Sequence, residues 1–199
     1  KEDEVTEKGW ENKVIPEQTS RFLISFEATV EKTHESQRAF IALSENSAKS
    51  SPENYLEDFK LMAVALRFGE DGLVQYRAGS KYLKSKFSYE SDKLYTIEMD
   101  INTKALEYSF SIMEQGKVKV QIAQSVPFRI DNGQKIQINR ISNIATLALK
   151  GGSIKLDKVE IEKYEEVNPN PPPGTVFETD MPGGLDCPSC VENIKKVKL

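Results

Sequence analysis

An all-β, antiparallel two-sheet sandwich is the fold class that the sequence predicts, and three observations carry the prediction. The first is residues 94–112, which alternate with period two through a tight turn. Tyr95, Ile97, Met99 and Ile101 fall on one side, with Thr96, Glu98 and Asp100 on the other. After Asn102-Thr103-Lys104 the pattern resumes, with Leu106, Tyr108, Phe110 and Ile112 against Glu107, Ser109 and Ser111. Alternation bounded by turn residues marks a half-buried hairpin. The second is the recurrence of about ten short strand-like segments separated by turn signals. The third is that no stretch shows a convincing amphipathic helical period.

The polar opening of the chain runs to residue 12 and contains the only tryptophan, Trp10; residues 1–8 are a lead-in outside the sandwich. Residues 21–30 alternate Phe22, Ile24, Phe26, Ala28 and Val30 with Leu23, Ser25, Glu27 and Thr29, which predicts a strand. A polar loop over 31–38 leads to a short apolar strand at 39–43, and 44–58 reads as a long surface loop. Residues 59–68 are mostly apolar, as in a strand covered on both faces. Glu70-Asp71-Gly72 is a hairpin turn of Asp-Gly type, returning as a strand over 73–78. Gly79-Ser80 breaks that strand, and 81–89 follows with Tyr82, Phe87 and Tyr89 among lysines and serines. Further strands are expected at 117–124, 128–130, 135–141 and 145–149, the last ending at Gly151-Gly152. Ile154 and Leu156 are two apart, as are Val159 and Ile161, but Leu156 to Val159 is a step of three. One extra residue near Asp157-Lys158 explains this as a β-bulge. The sandwich is therefore bounded at 9–167, followed by a stiff Pro-rich linker at 168–174 and by 175–199, an arm or the start of a further segment.

Composition narrows the function classes. With 27 basic and 31 acidic residues and a net charge of −4, the chain lacks the basic stripe of a nucleic-acid surface. No apolar run approaches the ~20 residues needed to cross a bilayer as a helix, so no transmembrane segment is expected. The charged opening Lys-Glu-Asp-Glu is read as a mature start behind a removed targeting segment. The body is free of cysteine; Cys187 and Cys190 form a CxxC near the C-terminus. It is half of a zinc site at most and lacks the βαβ context of a redox motif, so a local disulfide or two idle thiols is the expectation.

Several segments in order then resemble a known family. They are Gly9-Trp10-Glu11-Asn12, Gln18-Thr19, Ile41-Ala42-Leu43-Ser44, Leu66-Arg67-Phe68, Asp71-Gly72, Tyr76-Arg77-Ala78-Gly79, Tyr95 with Tyr108-Ser109, Pro127-Phe128-Arg129 and the closing strand 155–161. Together they are similar to the concanavalin A-like (lectin and glucanase) jelly-roll domains of secreted bacterial carbohydrate-active proteins, over residues 9–164. The resemblance implies a jelly-roll sandwich, a glycan partner, a neighbouring domain in a longer chain and an extracytoplasmic location, whether secreted, periplasmic or at the cell surface. It carries no fixed site, because fold does not imply function.

Glu98-x-Asp100 resembles part of the Glu-x-Asp-x-Glu strand of retaining glucanases, whose two working carboxyl groups stand about 5 Å apart. Asn102 occupies the third position and cannot transfer a proton, so no catalytic residue is assigned. His34, the only histidine, lies in a polar loop with no evident partner. The segment Tyr76-Arg77-Ala78-Gly79-Ser80-Lys81-Tyr82 has the chemistry to hold an acidic sugar, or is an edge strand protected by charge. Sugar binding calls for exposed aromatic faces, for which Trp10, Tyr55, Tyr76, Tyr82 and Tyr89 are candidates. Trp10, Tyr76, Arg77, Tyr82, Glu98 and Asp100 are the ligand-binding set. No cofactor is expected beyond a structural calcium ion at Asp157, with Glu27 or Asp180. The resulting expectation is a non-catalytic carbohydrate-binding or adhesion module. The alternatives are a polysaccharide-degrading enzyme with an atypical site and a structural spacer domain.

Overall fold

The computed structural model describes residues 9–32, 37–48, 58–131, 134–135, 138–165 and 195–198. Its strands are β1 (Glu11–Gln18), β2 (Arg21–Glu31), β3 (Ala39–Ser44), β4 (Met62–Phe68), β5 (Leu73–Ala78), β6 (Lys81–Ser88) and β7 (Leu94–Asn102). They continue with β8 (Glu107–Glu114), β9 (Val120–Pro127), β10 (Ile130–Asp131), β11 (Gln134–Lys135), β12 (Ile141–Ala148), β13 (Ser153–Glu165) and β14 (Lys195–Lys198). Two six-stranded sheets result, sheet A in the order β1-β12-β3-β4-β5-β6 and sheet B in the order β14-β13-β2-β7-β8-β9. All the pairings are antiparallel, and β10–β11 is a separate small hairpin.

Side-chain alternation decides which residues meet between the sheets. Phe22, Ile24, Phe26 and Ala28 of β2 and Tyr95, Ile97, Met99 and Ile101 of β7 all face inward and are buried. They meet Ile41, Leu43, Val64, Leu66, Phe68 and Val74 of sheet A. Full burial of each large apolar side chain contributes roughly 1.5–3 kcal/mol, so this layer is the main source of stability. The central hairpin forms as its alternation requires, with Ile24 opposite Met99 and Met99 opposite Phe110. Its turn is fixed locally: the Asn102 side-chain oxygen accepts from the backbone N–H groups of Lys104 (3.1 Å) and Ala105 (3.0 Å).

The bulge is also present. Asp157 pairs with Glu27 and Glu160 with Ser25, three residues against two, and Lys158 takes φ +47°. The Asp-Gly turn closes with Gly69 N–H to Leu73 O (2.9 Å) and Gly72 at φ +75°. Three loop residues with a left-handed glycine last is the expected geometry of such a hairpin.

Two expectations need correction. The polar opening was expected to run to residue 12, yet Glu11–Gln18 is β1. Only Ile15 and Gln18 of it are buried, and Pro16 interrupts the register, so little alternation marks it as a strand. The sequence predicts two strands at 135–141 and 145–149; Ile141–Ala148 is a single one, buried over most of its length between β1 and β3 of sheet A. The linker at 168–174 lies outside the described residues, while β14 adds to sheet B beside β13.

Candidate functional site

Sheet A has two faces, and its outer face is divided by residue type. Across the sheet, Leu147 stands opposite Phe40, Phe40 opposite Arg67, Arg67 opposite Gln75 and Gln75 opposite Lys84. A second row runs from Ala145 to Ala42 to Ala65, and Arg77 stands opposite Tyr82. Small and apolar residues therefore occupy the β12/β3 half, and cationic and amide residues the β4/β5/β6 half.

The apolar half is filled. Trp10 is 1% exposed, with Phe59 edge-on to it at 5.1 Å and edge-on to Phe40 at 5.0 Å. Ala42, Ala65, Ala145 and Leu147 floor this cluster. Trp10 thus has no face to offer a sugar: an indole between β1 and Phe59 gains more from apolar burial than from solvent exposure. Tyr89, also considered for stacking, is likewise buried. It packs edge-on to Phe68 at 5.0 Å, and its hydroxyl donates to Gly69 O at 2.7 Å.

The polar half holds a connected network around Tyr82. The guanidinium carbon of Arg67 is 4.4 Å from the Tyr82 ring centre and that of Arg77 is 5.3 Å from it. Arg67 Nε donates to Gln75 Oε1 (2.9 Å), and a second Arg67 nitrogen donates to the same oxygen. Gln75 Nε2 donates to Asp71 Oδ1 (3.2 Å), whose other oxygen pairs with Lys84 Nζ at 2.7 Å. Arg77 Nε donates to Gly79 O (2.9 Å), and the Arg77 carbonyl accepts from Tyr108 (2.7 Å). Arg129 closes the group: its backbone N–H donates to Ala63 O (2.9 Å) and its guanidinium donates to Phe59 O.

The electrostatics follow from partial burial. Desolvation lowers the Arg67 pKa, against the opposing pull of Tyr82, Asp71 and Glu70. Desolvation raises that of the Tyr82 phenol, although Arg67, Arg77 and Arg129 all favour its ionised form. The Lys84 hydrogen bond is the main reason that the Asp71 carboxyl lies below its usual range. A site of this kind presents positive charge with reduced hydration, a setting in which a planar guanidinium binds a carboxylate or sulfate well.

The other predicted residues fall elsewhere. Tyr76 points to the inner side, edge-on to Phe110 at 5.6 Å, so it and Tyr82 do not share a face. Glu98 and Asp100 share the outer face of sheet B, where each meets a cation. Arg21 grips Asp100 through Nε (3.0 Å) and a terminal nitrogen (2.8 Å), Tyr164 donates to Asp100 at 3.2 Å, and Lys119 meets Glu98 at 3.1 Å. Asp157 is exposed, Glu27 pairs with Lys158 at 2.8 Å, and among the described residues no group of three acidic, His or Cys side chains could hold a metal. His34, Tyr55, Asp180, Cys187 and Cys190 lie outside the described residues.

Sequence reasoning passed over Arg67, Gln75, Asp71, Lys84 and Arg129. The available signal was Arg67 itself, the only charged residue in the otherwise apolar 62–68 stretch.

No protein-family model and no curated protein matches the chain. Solved structures do. A sialidase superposes with TM-score 0.50 at 13% identity, covering 75% of this chain and 14% of that one. Lectin II from Ulex europaeus gives 0.47 at 10% identity, covering 71% of this chain and 72% of its own. A GH131 β-glucanase catalytic domain from Podospora anserina gives 0.47 at 12%, covering 73% and 59%. The fold is a concanavalin A-like two-sheet sandwich. At these identities the likeness is one of architecture, and any activity must be argued from the side chains described above.

Proposed function

We propose that this concanavalin A-like domain is a non-catalytic carbohydrate-binding or adhesion module for acidic glycans, and that the polar half of the outer face of sheet A is its binding surface. The observation that carries the reading is the convergence of Arg67 and Arg77 on the Tyr82 ring. A guanidinium pairs well with a planar carboxylate, and the exposed Lys84 adds an ammonium on the same face, while the buried Gln75 holds Arg67 in place. The Tyr82 ring is already engaged by cations, so the surface would hold a sugar chiefly through charge-assisted hydrogen bonds, with little aromatic stacking. A glycan-binding role fits an extracytoplasmic module beside a neighbouring domain. The Glu98/Asp100 pair supports no hydrolytic role, because both carboxylates are engaged by cations.

Affinity electrophoresis through gels containing polygalacturonate, alginate or a neutral glucan tests the reading. Retardation is expected in the two uronate gels and not in the neutral one, and is abolished in Arg67→Gln/Arg77→Gln. Equal mobility in all gels would remove the basis for the proposal.

A further inference from the structure

The sandwich has an open side. β6 is the last strand of sheet A and β9 the last of sheet B. A cleft of about 660 Å³ lies between them, with Tyr76 and Phe87 on one wall and Val120 and Ile122 on the other. That size falls within the range of a ligand pocket, roughly 300–1,000 Å³.

Of the five large apolar side chains that are exposed among the described residues, three lie on or beside β6 and β9, while Val14 and Leu61 lie elsewhere. Among the described residues, Leu83 on β6 is 43% exposed, Val120 on β9 is 43% exposed, and Val118 just before β9 is 83% exposed. Isolated exposed apolar residues need no explanation, but Val118 and Val120 line this cleft together with Tyr76, Phe87 and Ile122, with Leu83 next along β6 to the lining residue Lys84, and apolar exposure grouped in this way marks an interaction site. Both walls end in terminal strands, which offer backbone groups for pairing.

Charge selects the occupant. Lys84, Lys86 and Lys117 line the cleft with one carboxylate, Glu114; Lys117 pairs with Glu114 at 2.8 Å and Lys84 with Asp71 at 2.7 Å, so Lys86, with Lys81 further along β6, carries the excess positive charge. A second copy of this chain would bring the same lysines against these, so edge-to-edge self-pairing is disfavoured. A strand carrying acidic residues would be attracted.

We propose that the β6/β9 cleft docks an extended peptide segment of a partner protein in which acidic and apolar residues alternate, added to sheet A as a strand beside β6. Alternation directs one set of side chains into the cleft against Tyr76, Phe87, Val120 and Ile122 and leaves the other set to meet the lysines. The site borders the outer face at Lys84 but uses none of its arginines, and it does not depend on glycan binding.

Fluorescence anisotropy with a labelled peptide of alternating Glu and Val, about ten residues long to match a strand, tests this directly. Saturable binding is expected, weakened at least about tenfold by Leu83→Glu and by Val120→Glu. Both positions are partly solvent-exposed, and thermal melts confirm that the variants fold. Arg67→Gln/Arg77→Gln should bind the peptide normally. The same peptide with N-methylated backbone groups along one edge should not bind. Equal binding by Leu83→Glu and Val120→Glu, or retention of the N-methylated peptide, would each overturn the proposal.

Discussion

Arg67 places its guanidinium carbon 4.4 Å from the centre of the Tyr82 ring while two of its nitrogens donate to Gln75 Oε1. The side chain is thus held in one orientation by an aromatic face on β6 and an amide on β5. A cation–π contact of this kind is worth roughly 0.5–2 kcal/mol. Replacing Tyr82 with Phe keeps the ring and should change stability by less than about 1 kcal/mol. Tyr82→Ala removes the contact and also its packing against the Trp10/Phe40 cluster, and should cost roughly 2–3 kcal/mol. Urea unfolding of the two variants checks the difference.

Trp10 gives a second test, because it is the only tryptophan and is 1% exposed. Its fluorescence should be blue-shifted in the folded protein and move to the red on unfolding. Trp10→Ala should destabilise by roughly 3–5 kcal/mol, as expected for a buried large aromatic. Titration with a uronate oligomer should leave the emission maximum in place. A shift on titration would mean that the indole is part of the binding surface after all.

Alkaline pH should weaken the fold in a defined window. Burial pushes the Tyr89 phenol up to about 12, with Asp71 and Tyr95 adding to it. Burial also pushes the Tyr164 phenol up to about 12, with Asp100 beside it. An unfolded tyrosine ionises near ~10. The folded state therefore holds protons that the unfolded state has released, and stability falls as pH rises between the two values. Stability should be insensitive to these groups below pH ~10 and decline from there towards ~12. Denaturant midpoints across that range, with tyrosinate absorbance followed in parallel, measure both sides of the linkage.

The β12–β13 turn offers a stabilising change. Lys150 (φ +62°) and Gly151 (φ +85°) are both left-handed, the pattern of a type I′ turn that favours Asn-Gly. Lys150→Asn should raise stability by roughly 0.5–1 kcal/mol and Gly151→Ala should lower it by at least as much. Thermal melts of the two variants should move in opposite directions.

The parts of the fold legible in the sequence were those in which burial on one face forces alternation. The 94–112 hairpin and the three-residue step from Leu156 to Val159 are examples: each has a solvated outer face, so the pattern is clean. β1 was hidden because only Ile15 and Gln18 of it are buried. β12 was cut in two because it is buried almost throughout and lacks a clear period. The candidate site was harder to read. Arg67, Gln75 and Tyr82 come from three strands, and only the register between those strands brings them together. Arg77 and Tyr82 were recognisable as a local basic-aromatic segment, but Tyr76 was grouped with them although it faces the other side of the sheet.

The central claim is that the outer face of sheet A recognises an acidic glycan through its arginines. Isothermal titration of the protein with a polygalacturonate oligomer tests it most directly, comparing Arg67→Gln/Arg77→Gln with Glu98→Gln/Asp100→Asn. Saturable binding is expected that weakens with salt, is lost in the arginine pair and is unchanged in the carboxylate pair. No heat of binding to any uronate oligomer, or binding that survives loss of both arginines, would contradict it.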